Sequence, residues 1–264
     1  MFKNDNHTFA VCAYKESAHL ESCIRSLTKQ TVPSTIIVTT STPNSHIETL
    51  CKKYNLPLHI NTGTTGIAGD WNFALNCAKT DLVTLAHQDD VYMPTYTEEM
   101  LASINDAEKP VLYFTNYGEL RNDSYVNDNK LLRVKRKLLK PLESKKNQNK
   151  QSKKRLSLCL GNGICCPSAT LIPEVFPCKP FFQSEFGSNL DWQAWTTLYK
   201  IPGSFVYNPK ILMYHRIHEE SETSHLIEND TRSAEDFAML NQFWPSWIAR
   251  LLNHFYKKGQ ESNS

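Results

Sequence analysis

From Thr8 to Thr115 the chain alternates between short apolar runs of β-type residues and segments with helical spacing. This alternation constrains the fold more than any other feature. Thr8 to Tyr14 is an apolar run with β-branched and aromatic content. Ser17 to Leu27 sets Leu20, Ile24 and Leu27 at helical spacing, with Ser17 as the expected N-cap. Thr35 to Thr40 contains Ile-Ile-Val, and Ser41-Thr-Pro-Asn44 is turn chemistry. Ile47 to Tyr54 predicts a helix, Leu56 to Ile60 a strand, and Gly63 to Gly69 a glycine-rich loop. Asp70 to Ala78 then predicts a helix, Leu82 to Ala86 a strand, Pro94 to Ile104 a helix and Val111 to Thr115 a fifth strand. Alternation at this pitch implies βαβ units and an α/β fold with a mostly parallel sheet flanked by helices. Ligands of such sheets sit beyond the carboxyl ends of the strands. The chemistry is therefore expected in Lys15-Glu16, Thr40-Ser-Thr, Asn61 to Gly69 and His87-Gln-Asp-Asp90.

Charge is unevenly spread. The net charge is +2. Lys130 to Arg155 holds 12 Lys and Arg against the single acid Glu143, leaving 17 bases and 26 acids elsewhere. The body is mildly acidic and carries one basic insertion, suited to an anionic surface or to a solvated loop. After it, structure is expected to resume at Gly161 to Ser168. Asp191 to Tyr199 predicts a helix, and Phe205 to Tyr207 and Ile211 to Ile217 predict strands. From Glu228 onward the pattern is helical, with Pro245 in a first turn and a stripe of Trp244, Trp247, Ile248, Leu251 and Phe255. The eight cysteines include no Cys-x-x-Cys pair, and several lie in apolar runs. They read as reduced core residues of a cytoplasmic protein. No run of about 18 apolar residues spans a membrane, and Met1 to Asn6 lacks the apolar core of a secretory leader.

Phosphate-loop, dinucleotide-fold, nucleophile-elbow and His-Glu-x-x-His signatures are all missing. Three local signals remain. In Leu82-Val-Thr-Leu-Ala-His87-Gln88-Asp89-Asp90, two carboxylates follow an apolar strand. They suit a divalent cation bridging to a diphosphate, or equally a solvated helix start. In Tyr214-His215-Arg216-Ile217-His218, an extended backbone puts Arg216 and His218 on one face. Arg pairs with phosphate oxygens and imidazole can ligate a cation, although a lone histidine is more often structural. Asp191, in Leu190-Asp191-Trp192, is a general base or a helix cap.

Together these segments resemble glycosyltransferase family 2, the inverting transferases with the A-type (GT-A) nucleotide-sugar fold. The resemblance runs from about Phe9 to Ser221. Phe9 to Glu16 is similar to the family's opening Pro-x-Tyr-Asn-Glu strand, and Leu20 to Thr31 to its next helix. Gly66-Ile-Ala-Gly-Asp70-Trp-Asn72 resembles its Gly-x-x-x-Ala-x-Asn segment. His87-Gln88-Asp89-Asp90 stands at its Asp-x-Asp metal motif, Leu190-Asp191 at its Glu-Asp motif, and Arg216-Ile-His218-x-x-Ser221 at its Arg-x-His-x-x-Ser signature. Three departures stand out. No Asp follows the second strand to read a nucleobase, His87 replaces the first metal-motif Asp, and Leu190 replaces the Glu.

The resemblance implies a catalytic domain over 1–225, with the basic insertion at about 130–155, and a helical extension over 226–264 packed on it. It implies transfer of a sugar from a nucleotide diphosphate donor, a UDP-sugar, to an acceptor hydroxyl with inversion, in bacterial surface polysaccharide or glycoconjugate synthesis. Asp191 is then the catalytic base. Asp89 and His218 hold Mg²⁺ or Mn²⁺. Ala13, Tyr14, Glu16, Thr40, Gly66, Asp70, Asn72, His87, Gln88, Asp90 and Arg216 line the donor site. A glycan or lipid-linked acceptor would place the protein on the inner face of the plasma membrane. The basic run would dock there, through a helix over Lys130 to Lys140 with Leu131, Val134 and Leu138 on one side. The alternatives are a nucleotidyltransferase and a non-catalytic anion-binding module; nucleic acid is not an expected partner, since few aromatics interleave the bases.

Overall fold

A computed structural model describes residues 1–217 and 231–261. The alternation is realised as β1 (His7–Ala13), α1 (Leu20–Thr28), β2 (Thr35–Thr40), α2 (Ser45–Tyr54), β3 (Leu58–Ile60), α3 (Ile67–Cys77) and β4 (Leu82–His87). These four strands pair in parallel in the order β3-β2-β1-β4. Both faces of the sheet are covered, which is why the strands read as continuous apolar runs. Phe9 and Val11 pack with the α1 and α2 residues Leu20, Ile24 and Ile47. Ala10, Val83 and Leu85 pack with Ala68 and Ala74 of α3 on the opposite side. Ser17 does not cap α1. His19 is the N-cap residue, and the Ser17 hydroxyl accepts from the His19 amide while donating to Asp89.

After β4 come β5 (Val91–Tyr92), α4 (Tyr96–Asp106), β6 (Pro110–Arg121) and β7 (Ser124–Val126). The rest of the sheet runs β4-β8-β6-β9-β5, with β8 (Ala169–Leu171) antiparallel to β4 and β6, and β9 (Ser204–Ile217) parallel to β6. The two expected C-terminal strands are one strand. Pro209 lacks a ladder donor, so β9 bulges there instead of ending, and the β6–β9 register shifts at Thr115 and Asn116. Asn116 bridges the bulge by donating to Pro209 O at 2.7 Å.

The basic run is folded into the body. It forms α5 (Lys130–Leu139) and α6 (Gln151–Leu158). Asn129 caps α5 by accepting from Leu132 N at 2.9 Å. Leu132 and Leu139 enter the two cores. Gln148 donates to Leu142 O and Tyr207 O and accepts through its backbone from Phe205 N. Lys154 is 1% exposed and donates to Ile201 O and Gly203 O at 2.6 and 2.9 Å. Burial lowers its ammonium to about 8. Then come α7 (Leu190–Leu198), α8 (Thr231–Asn241) and α9 (Ser246–Glu261). Trp192 and Trp195 of α7, Met239 and Leu240 of α8 and Ala249 of α9 join the core beside α3. The expected Trp244–Leu251 stripe divides. Trp244 packs on the core, and its indole donates to Cys159 O at 2.6 Å. Trp247 and Leu251 stay exposed, at 70% and 53%. No described helix is long and apolar enough to cross a membrane.

Candidate active site

The site follows from where the parallel strands stop. Cys12 pairs with His87, Ala13 with Thr40, and Thr40 with Ile60, so β1 to β4 end at one edge. Ala13 and Thr40 are buried at that edge, while Tyr14 and Glu16 are exposed just past it. The Tyr14 amide donates to Gln88 Oε1, and Gln88 Nε2 donates back to Tyr14 O, both at 3.0 Å. This pair ties the β1 and β4 loops together. Lys15, at φ +54°, donates its amide to Thr42 Oγ1.

Over β2 and β3, Asp70 in the first turn of α3 accepts from Ser41 Oγ at 2.8 Å and from Asn61 Nδ2 at 2.7 Å. A carboxylate is thus fixed beside the end of β2, where the sequence itself carries no acid. Gly66 precedes α3 at φ +90°, a conformation that favours glycine. Asn72 is fully engaged. Its Nδ2 donates to Ala68 O and Phe182 O, and its Oδ1 accepts from Phe181 N and Phe182 N. It therefore ties the 181–182 backbone over α3.

His87 ends β4 with its ring stacked on Trp71 at 5.2 Å and 25°. Burial lowers its pKa, outweighing the opposing pull of Asp90. Asp89 is partly exposed and accepts from Ser17 Oγ at 3.0 Å. Asp90 is fully buried and turned inward, and its Oδ1 accepts from His215 Nδ1 at 2.9 Å and Arg216 N at 3.0 Å. Burial pushes the Asp90 carboxyl up, but His215, His87 and the Arg216 amide outweigh it and hold it below its ordinary value. Arg216 is 7% exposed and holds the loop itself, donating from Nε to Asp89 O at 3.0 Å and from Nη1 to Asp123 Oδ1 at 2.9 Å. His218 and Ser221 lie outside the described residues.

Among the described residues no three His, Cys, Asp or Glu side chains gather into a metal-binding group. The donors still suit a hard cation shared with a diphosphate, because Mg²⁺ in phosphate sites takes one or two carboxylates and fills its shell with phosphate oxygens and water. Asp89 offers a carboxylate there. His87 Nε2 and Asp90 Oδ2, in the same motif, are buried with no hydrogen-bond partner.

Asp191 lies in the first turn of α7 and is partly exposed. Its Oδ1 accepts from Trp192 N at 2.7 Å and its Oδ2 from Asn162 Nδ2 at 2.8 Å. Burial raises its pKa, which suits a group that takes up a proton. The turn before it is held from α8. Glu235 accepts from Gly187 N, Ser188 N, Asn189 N and Ser188 Oγ at 2.7–3.0 Å, and Asp236 accepts from Asn189 Nδ2 at 2.8 Å.

Sequence reading missed His215, Asn162, Ser17 and Glu235. Strand alternation puts His215 on the face opposite Arg216 and His218, a signal that was available. Asn162, between Gly161 and Gly163, offered a weaker one. Ser17 and Glu235 meet their partners across long loops and left no local trace.

The sequence profile of the family described as Glycosyl transferase family 2 matches residues 8–173. No curated protein matches the chain. Among solved structures, the crystal structure of S. aureus TarS is similar at a TM-score of 0.61 and 14% identity, over 90% of this chain and 42% of that one. The chain thus spans less than half of that protein. The S. aureus TarS 1-349 complex with UDP-GlcNAc aligns at a TM-score of 0.63 and 16% identity, over 90% of this chain and 71% of that one. The mannosyltransferase PcManGT from Pyrobaculum calidifontis, in complex with GDP-Man and Mn²⁺, aligns at a TM-score of 0.66 and 13% identity, over 96% of this chain and 70% of that one. These likenesses show a shared GT-A fold.

Proposed function

The chain belongs to glycosyl transferase family 2, and from that premise we propose that it transfers a sugar with inversion from a nucleotide diphosphate donor, a UDP-sugar, to an acceptor hydroxyl. One observation carries the reading. Two carboxylates stand on separate parts of the chain, Asp89 in the turn that follows β4 and Asp191, its carboxyl raised by burial, in the first turn of α7. An inverting transfer needs this division of labour, with the leaving diphosphate on one side and a base for the incoming hydroxyl on the other.

In this mechanism Asp191 accepts the acceptor's hydroxyl proton as the oxygen attacks the anomeric carbon. Asn162 and the Trp192 amide aim its oxygens. The Tyr14–Gln88 tie and Asp70, fixed by Ser41 and Asn61, support the nucleoside side of the donor. Asp90, bonded to His215 and to the Arg216 amide, fixes the loop that carries Asp89. A divalent cation, Mg²⁺ or Mn²⁺, held by Asp89 and, outside the described residues, His218, would neutralise charge on the diphosphate.

The reading extends to place. Leu131 and Val134 of α5 are 37% and 49% exposed, and Lys130, Arg133, Lys137 and Lys140 are exposed on the adjoining face. An anionic bilayer matches both surfaces, as a lipid-linked acceptor at the inner face of the plasma membrane requires. The bacterial surface polysaccharide setting is part of the same proposal.

A nucleotide-sugar panel with Mn²⁺ tests the function. A donor raises the melting temperature, and turnover with acceptor releases a nucleoside diphosphate. Release of pyrophosphate would instead mark a nucleotidyltransferase.

A further inference from the structure

Helix α5 turns most of its bases to solvent, where Arg133 pairs with Asp128. Lys135 and Arg136 are the exceptions, both partly buried, and Lys135 Nζ donates to Tyr117 Oη at 2.7 Å. The edge of the Tyr117 ring meets the His215 ring at 6.4 Å between centroids, and His215 holds Asp90. Through the Lys135 backbone α5 also touches the loop that aims Asp191. A Cβ on Gly163 would lie 2.8 Å from Lys135 O, so glycine is what lets this loop press against α5. The residue before it, Asn162, is the one bonded to Asp191. At Lys135, then, one helix meets both the Asp90–His215 side of the site and the Asp191 side.

We propose that Lys135 is a positioning residue of the transfer site: anchored on Tyr117, its ammonium faces Asp191 and supplies the positive charge against which that carboxylate works. This rests on the reading of Asp191 as the base. Electrostatics agree with the geometry. The Lys135 charge opposes the effect of burial at Asp191, Cys165 and Tyr117, and it disfavours the proton on His215. The contact that fixes this ammonium in place is the one with Tyr117 Oη. Among the described residues, the charged and titratable groups that act on Asp191 are Lys135 from α5, Arg232 from α8, and the thiols Cys165 and Cys166 from the segment before β8. The thiols stay neutral because burial raises them. Among the described residues, Lys135 and Arg232 are the cations set against the cost of burying the carboxylate. In the transfer, Lys135 keeps Asp191 ionised until the acceptor hydroxyl arrives, and then favours return of the proton to solvent.

The test titrates Asp191 directly, in protein labelled with ¹³C at the aspartate carboxyl carbons. The Asp191 signal is the one missing from Asp191→Asn. In Lys135→Met its midpoint moves to higher pH, and in Lys135→Arg it returns toward the parent's. The acidic limb of kcat/KM moves the same way, and donor binding is unchanged. Lys135→Gln repeats the measurement with a polar replacement in case the Met variant does not fold. An unmoved Asp191 midpoint in either folded variant overturns the inference, since a purely structural lysine would lower stability without moving that titration. The carboxyl signal needs no turnover. A parent that transfers no sugar would therefore count against the proposed function, while the titration would still decide the role of Lys135.

Discussion

Replacing Glu235 with alanine should loosen Asp191, the proposed base, from a distance. The Glu235 carboxylate accepts three backbone N–H groups, from Gly187, Ser188 and Asn189, and the Ser188 hydroxyl, at 2.7–3.0 Å. These residues form the turn that leads into α7 and Asp191. A buried hydrogen bond to a charged group contributes about 1.5–3 kcal/mol, but here the acceptor is partly exposed and the bonds share one side chain. A combined loss of about 3 kcal/mol is therefore the reasonable figure. For a domain somewhat above 200 residues that is a fall of roughly 5–10 °C in melting temperature. Glu235→Gln keeps one acceptor oxygen and should fall between parent and alanine. The effect depends on pH. Burial pushes the Glu235 carboxyl up, but its four donors outweigh burial and hold it below its ordinary value. A carboxyl depressed in the folded state stabilises above its unfolded pKa, and that stability is lost as pH falls through the folded pKa. The gap between parent and variant should thus be widest near neutral pH and close in acid. Turnover should fall by about 10²-fold, since a shift of about an ångström at a catalytic group suffices for that. Thermal unfolding followed by circular dichroism, across pH and beside kcat, makes the check. Equal melting temperatures at neutral pH would refute the reasoning, as would a gap that widens in acid.

Three further outcomes are expected. Asp89→Ala should abolish cation-dependent donor binding in calorimetry while the melting temperature stays near the parent's; equal binding in chelator would remove Asp89 from the metal role. Asp191→Asn should bind donor normally and lose about 10²–10⁴-fold in turnover, and turnover within a few-fold of the parent would leave Asp191 as a helix cap. Deleting Lys130 to Arg155 would remove Leu139, Leu142 and Lys154 from the body, so the membrane test needs surface changes. Leu131→Gln with Val134→Gln should weaken co-sedimentation with anionic liposomes, and binding that ignores lipid charge would contradict docking.

The N-terminal half of the fold was legible because its signals are local. Strands buried on both faces must be apolar throughout, and α1 buries Leu20, Cys23, Ile24 and Leu27 on one stripe. The edge just past which Asp89 lies follows from the same logic. What stayed hidden depends on long-range pairing. β5 is two residues long and exists through its pairing with β9. β9 crosses Pro209, a residue that locally reads as a break, because β6 holds both halves. Lys154 reads as one more solvated base in a basic run, yet carbonyls 47 and 49 residues away receive its ammonium. The Asp90–His215 contact spans 125 residues, and no spacing rule predicts it. The acidic pair after β4 could be named from sequence, but not that Asp90 turns inward while Asp89 stays partly exposed.

The central claim is a single displacement at the anomeric carbon, with Asp191 taking the acceptor's proton. It is tested most directly by the anomeric configuration of the product, read by ¹H NMR from the coupling of the anomeric proton during turnover of whichever nucleotide sugar the panel identifies. The expected product has the anomeric configuration opposite to the donor's and forms together with the free nucleoside diphosphate. A product that keeps the donor's configuration would contradict it.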